Sequence, residues 1–207
     1  MSKTLSFHPH LITVDLRNVR PTQISVGMAE VEDKRREWKV LGRHKRQRMI
    51  ESHVLPGVLG PGKAIYIVDH HHFGLAMLLD GHTSGFAMIQ RDFSMLQGST
   101  FWRTMEYYRW AHPYDRDGHR VGFSEIPESL HGMQDDPYRA LAAYVRMQGG
   151  YSKDAMPYSE FLWADFFRSR SKLKKSRPDK TILKQAMKLA EEPDASYLPG
   201  WSGPHHT

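Results

Sequence analysis

The sequence predicts an α/β fold of the α+β type, in which a compact N-terminal domain is followed by a mainly helical region. Between residues 11 and 89, short apolar runs of strand length alternate with segments of helical period. Beyond residue 98, the apolar positions recur mainly at helical spacing. The chain has 207 residues, 40% of them hydrophobic, which suffices for one core with a helical appendage.

Six elements form the predicted N-terminal domain, which we place at residues 1–97. Turn-forming residues separate these elements, as at Pro21, Gly42 and Gly81. The run Ala64–Val68 is almost continuously apolar, which is typical of a strand buried on both faces. The predicted order is strand (11–16), helix (25–41), strand (53–59), strand (64–68), helix (73–79) and strand (86–89).

The second predicted region, residues 98–207, is mainly helical, with a long loop over 114–132. Asp136 precedes Pro137, so we interpret Asp135 and Asp136 as helix caps and not as a catalytic carboxylate pair. The predicted helices span residues 99–110, 136–148, 157–169 and 179–192. The last one has an apolar stripe that would suit a homodimer contact. Its members are Ile182, Leu183, Ala186, Met187 and Ala190.

We expect the aromatic residues of this region to lie in the core and not on a base-stacking surface. They include Trp102, Trp110, Trp163, Phe166 and Phe167.

Basic residues are concentrated in two segments of a chain whose net charge is +6. Residues 34–48 contain eight Lys or Arg and one acidic residue, and residues 168–180 contain seven and one. The rest of the chain is therefore net acidic, so the basic character is local, as contact with DNA or a phosphate ligand requires. The alternative interpretation is a solvated helix face followed by a charged linker.

Composition excludes several classes of protein. The chain has no cysteine, which excludes disulfide scaffolds, thiolate zinc sites and thiol nucleophiles. No window approaches the ~20 consecutive apolar residues of a membrane helix, and the first ten residues lack the apolar core of a secretory signal. We therefore expect a cytoplasmic protein without a membrane partner.

A cluster of titratable side chains, Asp69-His70-His71-His72, follows the most apolar predicted strand. Strand-to-helix junctions are common ligand sites in α/β proteins, and helix N-termini favour phosphate. Because successive side chains point in different directions, only Asp69 with His71, or His70 with His72, can share a side. Three interpretations stay open: a metal site of Asp69 and one histidine, a phosphate or nucleotide pocket, or a buried structural histidine flanked by exposed ones.

Several segments resemble one protein superfamily in their order and spacing. These segments are Arg20–Gln23, Leu55–Val58, Tyr66–His72, Phe101-Trp102 with Met105, Asp135–Ala142 and Glu160–Arg168. Together they resemble the N-terminal domain shared by ParB proteins and sulfiredoxins, and more closely its branch of ParB-like nucleases, over roughly residues 11 to 170. The resemblance implies a ParB/sulfiredoxin-like domain with a mainly helical C-terminal region.

The resemblance also implies a nucleotide-binding loop at residues 69–73, where related proteins usually have a glycine and an arginine and, in sulfiredoxins, a reactive cysteine. This chain has His70 at the glycine position, His71 at the cysteine or glutamate position and Phe73 at the arginine position. Without a thiol, sulfiredoxin chemistry is excluded. The loss of the arginine removes a bidentate phosphate donor. The Asp-Gly-His-His-Arg pattern of a related serine-kinase group is kept only as Asp69, His71 and His72.

Our first hypothesis is a phosphotransferase or phosphohydrolase for a nucleotide or another phosphorylated small molecule. Asp69 would be a base or metal carboxylate, and His71 and His72 would contact phosphate or transfer protons. Further phosphate or nucleotide ligands would be Arg20, His70, Arg43 and Arg46. A nucleotide or a divalent metal as cofactor stays open.

Two alternatives concern other classes of protein, so that enzymatic activity itself is left open. The first is a DNA-associated ParB-like nuclease or binder that uses the basic segments 34–48 and 168–180. No helix-turn-helix pattern is evident, so a full partition protein is not expected. The second is a degenerate family member that keeps the fold without the activity, which Phe73 at the arginine position favours.

Overall fold

A computed structural model describes residues 8–172 and 177–204, and within these ranges it confirms the predicted mixture of helices and strands. The described strands are β1 (His10–Asp15), β2 (Ser25–Val26), β3 (Val54–Leu59), β4 (Ile65–Ile67), β5 (Ser84–Asp92) and β6 (Gln134–Asp135). The described α-helices are α1 (Met28–Lys39), α2 (Arg43–Ser52), α3 (His71–Leu79), α4 (Gly98–Tyr107), α5 (Pro137–Met147), α6 (Ser159–Arg170) and α7 (Lys180–Glu191). None of these helices combines the length and the hydropathy that crossing a bilayer requires.

The chain forms two compact units. The first contains the described residues up to Ile24 together with Val31–Tyr114 and Arg120–Met133. The second contains Ser25–Glu30, Asp115–His119 and the described residues from Gln134 onward. The predicted boundary after residue 97 lies inside the first unit, and as a boundary between sequence domains it stays a prediction.

A four-stranded mixed sheet in the order β1-β5-β3-β4 organises the first unit. β5 pairs antiparallel with β1 and parallel with β3, and β3 pairs antiparallel with β4, with Gly57 opposite Ile67. All four predicted strands of this unit are therefore present. The antiparallel β3–β4 pair brings the start of β3 next to the end of β4.

β4 is an edge strand, yet its central residues are buried as the sequence predicted. A short bridge covers its outer edge, because the Arg20 amide donates to the Ile65 carbonyl at 2.8 Å and the Ile67 amide donates to the Arg20 carbonyl at 2.9 Å. Tyr66 and Ile67 are consequently 5% and 0% exposed. The same bridge places the Arg20–Thr22 segment beside β4.

α3 is anchored at its C-terminal end by a polar contact with α1. The Trp38 indole N–H donates to the Asp80 carboxylate, and Arg35 forms an ion pair with the same carboxylate at 2.7 Å. Trp38 also packs edge-on against Phe73, with ring centroids 5.5 Å apart. Trp38 is fully buried, so its N–H needs the partner that Asp80 supplies.

Two helices differ most from the prediction, and the short strands β2 and β6 were not predicted either. α1 begins at Met28, because Ser25–Val26 pair in parallel with β6 and the Asp135 carboxylate accepts the Met28 amide at 2.9 Å. α2 was not predicted at all. Ile50 is its only buried residue in the described structure, so it has no apolar stripe for a periodicity search to detect.

The second unit is built from α5, α6 and α7 around a core that includes Leu141, Trp163 and Phe167. Asp136 caps α5 by accepting the amides of Tyr138 (2.9 Å) and Arg139 (3.1 Å), which confirms the capping interpretation. The apolar stripe of α7 packs on this core through Ile182, Leu183 and Met187. The stripe is thus used within the chain and no longer argues for a homodimer, which stays a prediction.

A buried ion-pair network ties Glu30 to this helical core. Arg139 donates to Glu30 at 2.9 Å and also pairs with Glu160, which in turn accepts from Arg146 at 2.5 Å. Burial alone would lower the pKa of Arg139, but the charges of Glu30 and Glu160 raise it above its ordinary value. Arg139 therefore stays charged and neutralises two carboxylates that have little access to water.

We expect Arg139→Met to reduce the free energy of unfolding by about 3 kcal/mol, because it removes the buried cation that Glu30 and Glu160 share and leaves Glu160 with Arg146 alone. Urea unfolding measures the change. The control is Arg120→Met, which removes an exposed pair with Glu106 and should have little effect. Similar small effects in both variants would contradict the role of the network.

Candidate functional site

The predicted cluster lies at the junction between β4 and α3, with its members on different sides of the chain. Asp69 and His70 are exposed, His71 is buried and His72 is partly buried. His70 adopts the left-handed conformation with φ 61° and ψ 24°, immediately before α3. Glycine enters this conformation without steric cost, which accounts physically for the glycine expected here from the resemblance. The His70 amide donates to the Asp69 carboxylate at 2.6 Å.

His71 joins three segments of the first unit. Its ring is 2% exposed, and its Nε2 accepts the backbone N–H of Thr22 at 3.2 Å. The Thr22 hydroxyl donates to the Ile67 carbonyl at 2.9 Å. Burial lowers the pKa of His71 to about 3, so the ring is neutral near pH 7. His71 is thus a buried, hydrogen-bonded histidine between the exposed His70 and the partly buried His72.

His53 forms a pair with His70 that sequence reasoning missed. The two rings have centroids 6.5 Å apart. The Nδ1 atom of His70 lies 3.0 Å from the Val54 carbonyl, and that of His53 lies 2.9 Å from the Met49 carbonyl. A carbonyl can only accept, so each Nδ1 carries the proton and each neutral ring keeps its lone pair on Nε2.

The antiparallel register of β3 and β4 is the signal that could have identified His53. Gly57 lies opposite Ile67, so continuing the register by three residues puts Val54 opposite His70. His53 is the C-terminal cap of α2 and immediately precedes β3. It also stacks on Phe73, with centroids 4.0 Å apart and planes inclined by 13°. Phe73, at the position where the resemblance predicts an arginine, thus packs against the imidazole of His53.

The predicted arginines occupy different environments in the first unit. Arg20 donates to the Tyr66 hydroxyl at 3.2 Å, with its guanidinium 5.7 Å from the centre of that ring. Arg43 is exposed at the first position of α2. Arg46 donates to the carbonyls of Trp38 (3.0 Å), Lys39 (3.1 Å) and Leu41 (3.3 Å). Arg46 therefore satisfies the C-terminal end of α1.

The first basic segment, residues 34–48, divides into paired and exposed parts. Within α1, Arg35 and Lys39 pair with Asp80, and Arg36 pairs with Asp33. Four further basic residues are exposed on α2, Arg43, His44, Lys45 and Arg48, whereas the exposed Arg36 and Lys39 of α1 are engaged in the ion pairs named above. The concentrated exposed charge of this segment therefore belongs to the helix that ends at His53.

The second basic segment, residues 168–180, is largely tied to its own unit where the structure describes it. Arg168 pairs with Asp136 at 2.8 Å and with Asp165. Arg170 lies over the Phe166 ring, 4.2 Å from its centroid, and Arg177 donates to the Tyr144 hydroxyl at 2.9 Å. Lys174 and Lys175 lie outside the described residues.

In the described parts of the chain, no group of three or more His, Asp or Glu residues is arranged to hold a metal ion. The His53–His70 pair with Asp69 supplies fewer ligands than a closed structural site requires.

A family model described as "Putative ParB-like nuclease" matches residues 12–169. The chain belongs to this family. The match confirms the resemblance and includes residues of both compact units. A crystal structure of the protein Atu1540 from Agrobacterium tumefaciens is similar to this chain, with a TM-score of 0.87 and 40% sequence identity. It covers 95% of this chain and 99% of its own. Among curated proteins, no significant match is found.

Lowering the pH should destabilise this ParB-like protein through His71. The unfolded imidazole takes up a proton near pH 6.5, whereas the buried ring resists it down to about pH 3. The pKa of His71 is lower in the folded state than in the unfolded state. The stability that the neutral ring contributes is therefore complete above pH 6.5 and is lost as the pH falls. Between about pH 6.5 and pH 5 we expect a loss of about 2 kcal/mol.

Urea unfolding across this pH range checks the effect in His71→Gln, whose amide oxygen can still accept the Thr22 N–H. The variant should show a weaker pH dependence than the wild type. His131→Gln, at an exposed position, is the matched control and should keep the wild-type dependence. An unchanged dependence in His71→Gln would rule out the buried neutral ring.

Proposed function

We propose that this ParB-like nuclease family member is a phosphohydrolase that binds the phosphate of a nucleotide at the β4–α3 junction. The observation that carries the proposal is the pair of His53 and His70, both with Nε2 as the unprotonated atom, beside the Asp69 carboxylate. An imidazole with a fixed tautomer is a suitable general base near neutral pH.

The N-terminus of α3 supports phosphate binding at this position. The first N–H groups of an α-helix have no partner within the helix, and the helix dipole favours an anion there. His72 lies in this first turn and can donate to a phosphate oxygen. Phe73 at the expected arginine position leaves the helix end and His72 as the phosphate contacts.

The reaction needs one proton acceptor and one positioned water. The water oxygen attacks phosphorus, its proton passes to Nε2 of His53, and the bond from phosphorus to the leaving oxygen breaks with its electron pair staying on that oxygen, which then takes the proton from His53. Asp69 accepts the backbone amide of His70 and so fixes the chain beside the histidine pair. In this proposal His71 is a positioning residue, because its Nε2 is occupied by Thr22.

We expect a nucleotide at a hundredfold excess over its Kd to stabilise the wild type by about 2.7 kcal/mol. Thermal-shift measurements with a panel of nucleotides, with and without Mg²⁺ or Mn²⁺, detect this stabilisation. His53→Ala should retain binding and lose most hydrolysis, because it removes a proton acceptor. Asp69→Ala should weaken both. Release of inorganic phosphate measures the activity.

His131→Ala is the matched control, since His131 is exposed and outside the junction. It should behave as the wild type in both assays. If no nucleotide shifts the melting temperature, or if His53→Ala hydrolyses as fast as the wild type, the assignment of the site is wrong.

A second candidate, DNA association, rests on the exposed basic residues of α2. Arg43, Lys45 and Arg48 are exposed on a helix whose cap, His53, belongs to the junction site. A polynucleotide that passes this helix could contact these residues by its phosphates while one phosphodiester reaches the histidine pair. Duplex binding through several basic residues weakens steeply with salt, whereas a small pocket responds mildly.

Replacing Arg43, Lys45 and Arg48 together by Gln should weaken duplex DNA binding and flatten its salt dependence. For three lost phosphate contacts, the slope of log K against log salt changes by about 2.7. Fluorescence anisotropy with a labelled duplex measures both quantities. Unchanged nucleotide binding in this variant serves as the control. An unchanged salt slope would exclude α2 from the DNA contact.

A further inference from the structure

A shallow, open groove runs along the outer face of α4 in the first unit. Its lining consists of Thr100, Arg103, Thr104, Tyr107 and Tyr108. Tyr107 is 82% exposed, so its ring is open to a ligand, unlike the buried Phe101 of the same helix.

Aromatic packing holds the neighbouring ring in place. Tyr108 stacks on Trp110, with centroids 5.0 Å apart, and on Phe93 at 5.7 Å. Tyr107 meets Tyr108 edge-on, at 5.4 Å and 84°. Phe93 and Trp110 pack in turn on the core formed by Val58 and its neighbours. Tyr107 therefore stands on a rigid aromatic base, which reduces the entropy lost when a flat ligand stacks on it.

The groove also carries positive charge. Arg103 donates to the carbonyl of Ser99 at 3.4 Å and to its hydroxyl at 3.3 Å. Both acceptors are uncharged, so these contacts do not neutralise the guanidinium. Arg91 lies over the Tyr108 ring, 5.2 Å from its centroid. The carboxylate of Glu106, on the same helix, is engaged by Arg120 at 2.6 Å. The guanidinium groups of Arg91 and Arg103 are thus placed to attract an anion beside the exposed ring.

We propose that this groove binds single-stranded nucleic acid, with one base stacked on Tyr107 and the adjacent phosphate contacted by Arg103 and Arg91. An aromatic face beside guanidinium groups is the combination that recognises unpaired nucleotides. A duplex keeps its bases stacked inside and would leave Tyr107 unused. The proposal does not depend on hydrolysis or on ligand binding at the β4–α3 junction.

Fluorescence anisotropy with a labelled oligothymidylate and the full chain tests the proposal across a range of salt concentrations. Tyr107→Ala should weaken binding about tenfold with an unchanged salt slope, because it removes a stacking ring and no charge. Arg103→Gln should weaken binding and flatten the slope of log K against log salt by about 0.7, the value for one phosphate contact on a single strand. Tyr107→Phe should bind as the wild type.

Tyr197→Ala is the matched control, because Tyr197 is 71% exposed and belongs to the second unit. It should leave oligonucleotide binding unchanged. Tyr107→Ala should keep the wild-type melting temperature, since the ring is exposed. Wild-type affinity in both Tyr107→Ala and Arg103→Gln would overturn the proposal, as would no binding of the oligonucleotide. Displacement by a duplex or a peptide of equal concentration would identify a different ligand and also overturn it.

Discussion

The first unit depends on one buried hydrogen bond, from the backbone of Thr22 to the imidazole of His71. The Arg20–Thr22 segment has no regular strand of its own, so its attachment rests on the bridge to β4 and on this histidine. A protonated ring could not accept the bond. Burial keeps the ring neutral, and the neutral ring keeps the end of β4, the start of α3 and the preceding loop together.

The burial of His71 separates its side chain from those of its neighbours Asp69 and His70. The left-handed conformation of His70 breaks the alternation expected of an extended chain, so Asp69 and His70 are both exposed, His71 is buried, and Asp69 does not share a side with His71 as the sequence predicted. Three consecutive histidines therefore do not form one site. The partner of His70 comes from a distant part of the sequence, and the β3–β4 register brings His53 to it.

The sequence predicted the four strands of the main sheet and most helices, because each has an apolar pattern or a cap. It also located the junction at residues 69–73, where an apolar run meets titratable groups. It missed α2, whose charged surface lacks a periodic signal, and with it the helix that leads to His53. It could not assign Arg46 to the end of α1, because only the fold shows which carbonyls lack partners.

The stack of His53 on Phe73 changes the meaning of the missing arginine. An arginine would supply a permanent positive charge and a bidentate phosphate contact, but it cannot accept a proton. Phenylalanine provides a flat apolar support, against which the imidazole of His53 packs at 4.0 Å with its Nδ1 held by a carbonyl. In the proposed site, phenylalanine at this position would exchange a phosphate contact for an oriented base. Such an exchange suits a protein that acts on a phosphate ester and releases it, and it weakens the argument that Phe73 marks a degenerate member of the family.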